Sequence, residues 1–319
     1  MLAAVYRTTG GPEVLSVEEV PTPEPGPGEV RVRLHVAGVN PTDWKMRTSA
    51  QPKDFQVPGQ DGAGEVDAVG AGVDAGRVGE RVWVWFAAAR GRQWGSAAQW
   101  TVVPSRQAVR LPDEVSYDVG AGLGIPAMTA WHCLFADGTL QGRDVLVAGG
   151  AGAVGNAAVA LARRGGARVL ATTSTPDKAE LARAAGAHAT VDYRASDAAE
   201  QVRALAPDGV TRIVEVALGA NLELDLAVLA PHGVVSTYAD DLLSTSTRPL
   251  MVANATLAFV LVYGVADIDL DAAVTGVSEA LAAGDLPALP STRFPLADVA
   301  AAHSAVQART PGKVLLDLP

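Results

Sequence analysis

Two different periods of apolar and polar positions divide this chain. Over Val30-Arg31-Val32-Arg33-Leu34-His35-Val36 they alternate one by one, and short β-type runs follow at residues 63–69 and 81–86, punctuated by Pro and Gly. This predicts a β-rich, barrel-like unit over residues 1–121. From about Gly122 short Val/Leu runs alternate with Ala-rich helical stretches, the pattern of βαβ units around a parallel sheet. Strands are expected at residues 144–148, 168–172, 190–193, 212–216, 234–238 and 257–263, giving a doubly wound sheet over 122–263. Helices are expected between them at 154–164, 176–185 and 221–229, with Thr175 as an N-cap ahead of Pro176. A helix at about 270–283 and a strand at 312–318 are expected to return to the first domain and complete it over 264–319. The fold class is α/β.

The 319 residues are 49% hydrophobic, enough to bury the cores of about two domains. A net charge of −10 opposes a nucleic-acid partner. The longest apolar run, residues 256–265, is too short to cross a membrane and reads as a buried strand, so no membrane partner is expected. The single cysteine, Cys133, excludes an intrachain disulfide and a multi-cysteine metal site, and fits a reducing cytoplasm.

Candidate chemistry starts at Gly150-Ala151-Gly152-Ala153-Val154-Gly155, a GxGxxG placed after one expected strand and opening a helix. Glycines there allow a tight turn, close approach of backbone to a pyrophosphate, and packing of helix on strand, while the helix N-terminus holds the anion. At the end of the next strand, Thr172-Thr173-Ser174-Thr175 offers hydroxyls where NAD-preferring sites carry a carboxylate, and Lys178 adds positive charge. This favours NADPH over NADH; a solvated Lys178 is the competing reading.

With these motifs the chain resembles the quinone oxidoreductase branch of the medium-chain dehydrogenase/reductase superfamily, which includes zeta-crystallin. The resemblance runs through Gly11-Pro12-Glu13-Val14-Leu15, Gly38-Val39-Asn40-Pro41-Thr42-Asp43-Trp44-Lys45, Gly59-Gln60-Asp61-Gly62-Ala63-Gly64, Gly79-Glu80-Arg81-Val82, Thr129-Ala130-Trp131, Asp192-Tyr193-Arg194, Leu229-Ala230-Pro231-His232-Gly233 and Gly312-Lys313-Val314. It implies a GroES-like catalytic domain, a Rossmann domain and NADPH in the cleft. It also implies cofactor contacts at Thr129 near the nicotinamide, at Tyr193 and Arg309 near the 2′-phosphate, and at Asn221, Tyr238 and Ala239. Tyr193 as a strand end, Asn221 as a helix N-cap and Tyr238 as core remain open alternatives.

Zinc-dependent relatives carry a Cys and a His-Glu pair where this chain has Asn40 and Gln60-Asp61, so no metal site is expected. The five histidines are widely spread and read as surface or strand-end residues. Without a metal, Asn40 is the candidate donor to the acceptor oxygen or the nicotinamide ribose, and Lys45 a source of positive charge or a proton relay; a turn-stabilising Asn40 and a solvated Lys45 are the alternatives. Lys45 and Gln51 stand where some relatives have tyrosines. The implied substrate is a quinone or another α,β-unsaturated carbonyl compound. An enoyl or polyketide-intermediate reductase is the second enzymatic reading, and a cofactor-binding structural or RNA-binding protein with little turnover is the alternative of another class. Pairing of the apolar strand at 256–263 with its mate predicts a homodimer.

Overall fold

In the computed structural model, which describes residues 1–243 and 246–319, the chain forms two units, Met1–Ile125 with Ala288–Pro319, and Pro126–Pro287. The first begins with a two-stranded antiparallel ribbon, β1 (Leu2–Val5) and β2 (Ser16–Glu19). Its main sheet is built on β3 (Glu29–Val39), whose alternation turns Val30, Val32, Leu34 and Val36 inward. β4 (Asp61–Val69), β5 (Arg81–Val84) and β7 (Ala108–Arg110) follow in antiparallel order, and β6 (Trp100–Pro104) also pairs with β3. Helix α1 (Pro41–Ser49) leaves the end of β3, and α2 (Tyr117–Gly120) leads into α3 (Gly124–Phe135).

The second unit is a parallel sheet of β8 (Asp144–Val147), β9 (Arg168–Thr173), β10 (Ala189–Asp192), β11 (Val210–Glu215), β12 (Leu229–Thr237) and β13 (Thr256–Phe259). Their order is β10-β9-β8-β11-β12-β13, which reverses direction between β8 and β11, the switch point where open α/β sheets bind ligands. Helices α4 (Ala153–Arg164), α5 (Pro176–Ala184), α6 (Ala198–Leu205), α7 (Leu218–Val228) and α8 (Arg248–Ala253) connect them. The interior strand β9 is buried from Val169 to Thr173, as a strand covered on both faces requires.

Three expectations need correction. Helix α9 (Asp267–Ala282) belongs to the second unit, not the first. It buries Leu270, Ala273, Val277 and Ala280, and Gly276 leaves the space that the Trp131 ring fills. Strand β13 stops at Phe259 rather than Tyr263 because β12, its one partner among the described residues, stops at Thr237; beyond the bond from Val260 N–H to Thr237 O, Val262–Gly264 curls into a single 3₁₀ turn. Residues 256–265 are correspondingly half exposed rather than a buried strand. Finally, His132 and His303 are buried within helices. The chain re-enters the first unit with β14 (Ser291–Pro295), α10 (Val299–Gln307) and β15 (Lys313–Asp317); β15 runs antiparallel to β3 and completes the order β14-β15-β3-β4-β5-β7.

Candidate active site

The glycine turn lies between β8 and α4, at the carboxyl end of the sheet. The residue in the left-handed region is Gly149 (φ 67°), one position ahead of the motif. Gly150 sits so close to β9 that a Cβ there would lie 2.7 Å from the Ala171 methyl, and a Cβ on Gly155 would overlap the Gly149 carbonyl. Gly152, the N-cap of α4, is different: a Cβ would meet only the Gly149 oxygen, at 3.4 Å. Two of the three motif glycines are thus set by packing, while Gly152 exposes backbone at the helix N-terminus, where an anion is held. Ala151 is buried in the turn, and Ala153 and Val154 form the first turn of α4.

Ser174 follows the end of β9, and its Oγ accepts a 3.1 Å hydrogen bond from Lys178 Nζ. Thr175 caps α5 by accepting from Lys178 N–H, which turns the lysine back over the strand end. Tyr193 follows β10, 44% exposed, with its N–H on the Thr173 carbonyl. The structure therefore brings Ser174, Lys178 and Tyr193 to neighbouring strand ends. Arg309 lies in the other unit, where it ends α10 in a left-handed conformation (φ 59°).

At the end of β11, Glu215 organises a second cluster. Its Oε1 accepts from Ala217 N–H at 2.5 Å and from Asn221 Nδ2 at 2.9 Å. Asn221 therefore sits within α7, not at its N-cap as the sequence alternative had it; the Glu215 carboxylate supplies the acceptor that the helix start needs. Asp225, one turn further on, is fully buried with no donor for either oxygen, and the group that faces it is the Glu215 carboxyl. Burial, and then the Glu215 charge, push its pKa up to about 9, so Asp225 keeps its proton at neutral pH. Tyr238, also pushed up by burial, faces Cys133 and Glu215; Ala239 N–H is held by Thr237 Oγ1, and Thr129 is buried in α3.

In the first unit Asn40, which ends the β3–α1 turn, is only 3% exposed. Its backbone N–H donates to Asp43 Oδ2 (2.7 Å), its Nδ2 to Asp61 Oδ2 (2.7 Å), and its Oδ1 accepts from Lys313 Nζ (2.7 Å). Lys313 Nζ is also 3.7 Å from Asp61 Oδ2, and Asp61 Oδ1 accepts from Ile125 N–H at the start of α3. Burial raises the Asp43 pKa to about 7, opposed by the hydrogen bond from Asn40 N–H. Sequence reasoning marked Asp61 only as standing, with Gln60, in place of a zinc-ligating pair and gave no role to Asp61, Asp43 or Lys313; the one further signal was that each falls in a motif segment. Lys45 is exposed beside the Trp44 ring, 6.0 Å away. Gln51 ties its own loop to the Arg7–Thr9 segment through Arg7 O and Thr9 N–H. Among the described residues no three His, Cys, Asp or Glu side chains gather where they would hold a metal ion.

Residues 26–113 match the alcohol dehydrogenase GroES-like domain, and residues 153–276 the zinc-binding dehydrogenase domain. The chain is 31% identical to a quinone oxidoreductase of Pseudomonas aeruginosa, over 98% of each chain, and 31% identical to a 2-haloacrylate reductase of a Burkholderia species, over 99% and 98%. Among solved structures it resembles a mycobacterial protein in complex with NADPH, with a TM-score of 0.86 and 29% identity, covering 99% of this chain and 100% of that one. With its GroES-like and Rossmann-type units and this similarity from end to end, the chain belongs to the quinone oxidoreductase branch of the medium-chain dehydrogenase/reductase superfamily.

Proposed function

We propose that this oxidoreductase uses NADPH, without zinc, to reduce quinones or other α,β-unsaturated carbonyl compounds. The observation that carries the reading is the hydroxyl-and-ammonium pair Ser174–Lys178 at the end of β9, beside a glycine turn shaped for a pyrophosphate. A 2′-phosphate at that strand end meets donors and positive charge rather than a carboxylate. When bound, NADPH supplies the hydride from its nicotinamide ring.

The chain's own work is to hold, orient and shield. Gly150, Ala151, Gly152, Ala153, Val154 and Gly155 take the pyrophosphate, and Ser174, Lys178, Tyr193 and Arg309 the adenosine phosphate. Thr129, Asn221, Tyr238 and Ala239 line the rest. Asn40 donates its free amide hydrogen to the acceptor oxygen, which gains negative charge as the carbonyl is reduced. Lys45, exposed on α1, contributes positive charge at long range. Similarity to a 2-haloacrylate reductase supports a second acceptor class, an electron-poor C=C beside a carboxylate.

Zinc does not fit the cluster at Asn40. The Lys313 ammonium already supplies a positive charge 3.7 Å from Asp61, and an amide, a carboxylate and an ammonium are not a zinc ligand set. Metal analysis should return less than stoichiometric zinc, and chelators should leave turnover intact.

Loss of NADPH absorbance with phenanthrenequinone, an α,β-unsaturated ketone and 2-chloroacrylate tests the activity and ranks the acceptors. No turnover with any acceptor, together with retention of RNA on a filter, would instead favour the binding-protein reading, which the net charge of −10 opposes. A buried lone cysteine suits a cytoplasmic setting. We also assign a homodimer through β13, an edge strand whose Phe259 and the following Leu261 are 69% and 71% exposed, covered by a second copy of the same strand. Light scattering giving only monomer mass at micromolar concentration would count against it.

A further inference from the structure

Which way an asparagine amide points is normally ambiguous, because its oxygen and nitrogen have the same shape. At Asn40 the chemistry of the neighbours decides. The Lys313 ammonium has donors only; burial pushes the Asp61 carboxyl up, but the Lys313 charge and the Ile125 N–H beside it favour its ionised form, which accepts only. Oδ1 must therefore face Lys313 and Nδ2 must face Asp61, each at 2.7 Å. With one Nδ2 hydrogen given to Asp61, the direction of the other is fixed. Both charged partners are built into the core: Lys313 is 6% exposed and Asp61 not at all.

The niche for the lysine is equally specific. A Cβ on Gly38 would overlap the Ala121 carbonyl oxygen and lie 2.9 Å from Lys313 Cε, so the close approach of the Ala121 backbone demands the glycine and the lysine stem packs against the same bare Cα of β3. The lysine's own N–H is held by the Pro290 carbonyl at 2.9 Å, and the remaining oxygen of Asp61 is taken by Ile125 N–H. Each partner of Asn40 is thus held from a second side. A cation buried this deeply beside two carboxylates, Asp61 and Asp43, costs desolvation that a hydrophobic residue would avoid.

We propose that Lys313 is a positioning residue for the reduction: by donating to Asn40 Oδ1 it locks the amide so that the free Nδ2 hydrogen is presented to the acceptor oxygen. The ammonium also offsets the electron density that Asp61 pushes onto the amide nitrogen, keeping the free hydrogen a good donor. This rests on the reading that Asn40 contacts the acceptor. Lys313 itself touches neither acceptor nor coenzyme in this scheme. An interaction that gains strength as negative charge develops on the acceptor appears in kcat rather than in KM.

Four variants test it by steady-state kinetics, thermal melting and fluorescence titration of NADPH. Asn40→Ala tests the underlying reading, and wild-type kcat there would remove it. Lys313→Met strips the lock but strands the Asp61 charge, so Lys313→Met with Asp61→Asn is made alongside to restore a neutral core, and Asp61→Asn alone, which loosens the amide from its other side, is the baseline for it. The double variant is expected to melt near wild type and to keep KM and NADPH affinity within about threefold, with kcat reduced at least about tenfold below that of Asp61→Asn alone. Low kcat for Asn40→Ala together with a kcat for the double variant no lower than that of Asp61→Asn would overturn the role of Lys313 while leaving that of Asn40 intact. A rise in KM or loss of NADPH binding that accounts for the whole defect would overturn it as well.

Discussion

Arg47 Nη1 lies 3.2 Å from His303 Nδ1, and neither side chain reaches solvent. The pair joins α1 to α10 across 256 residues of sequence. Because the guanidinium can only donate, Nδ1 must be the unprotonated, accepting nitrogen. Burial first, and then the Arg47 charge, hold the His303 pKa down at about 3.

That depression makes His303 an acid-labile point. Between about pH 6.5 and 3 the unfolded chain binds a proton at His303 that the folded chain cannot, so this contribution is complete above about pH 6.5 and is lost as pH falls. At pH 5 the loss should be about 2 kcal/mol. Urea titrations at pH 7 and 5 of wild type and His303→Gln would measure it. A stability difference between the two proteins that does not change with pH would rule the mechanism out.

The Glu215–Asp225 pair has the opposite sign. A carboxyl whose folded pKa is raised holds a proton that the unfolded chain releases above about pH 4, so stability falls as pH rises from there through neutrality. Asp225→Asn keeps the size and shape of the side chain and removes the titration. It should stabilise the protein by at least about 1 kcal/mol at pH 8 and by much less at pH 4.5. Thermal melting at the two pH values checks this, and equal shifts at both would argue against a raised Asp225 pKa.

Gly152→Asp should abolish coenzyme binding and leave the fold intact. The space at Gly152 accepts a Cβ, but a carboxylate there meets the pyrophosphate in a partly desolvated turn. Affinity for NADPH should drop more than about a hundredfold. In melting experiments the variant should unfold cooperatively yet lose the shift that NADPH gives wild type. A full shift would mean that the phosphate site lies elsewhere.

Lys178→Ala separates the two coenzymes. Removing the ammonium that reaches Ser174 should weaken NADPH by about tenfold and leave NADH within about twofold. Fluorescence titration with each coenzyme gives the answer; equal losses for both would show a general rather than a phosphate-specific role.

What can be read from the chain alone follows how far apart in sequence the causes lie. The turn at Gly150–Gly155 and the cap at Thr175 are legible because strand, turn and helix are contiguous and each residue type has a local reason. Gly149 escapes notice because nothing in the motif marks which glycine must take positive φ. The end of β13 is set by where its neighbour β12 stops, and Asn221 is drawn inside α7 by a carboxylate six residues back. Asn40 reads as chemically interesting, but its two partners arrive from β4 and β15, and no periodicity links them.

The split of the first unit carries a consequence for biogenesis. Lys313 reaches Asn40 only after all of Pro126–Pro287 has been made, so on the ribosome the second unit is the first with a complete set of contacts, and the buried aspartates wait for their cation. Folding of the amino-terminal half is thereby tied to the arrival of β15, a pairing of high contact order that should be the slow step of refolding. A nascent chain halted before β14 should consequently offer chaperones an unfinished sheet beside a finished one, which limited proteolysis of stalled chains would reveal as a protected core with a cleavable leading segment.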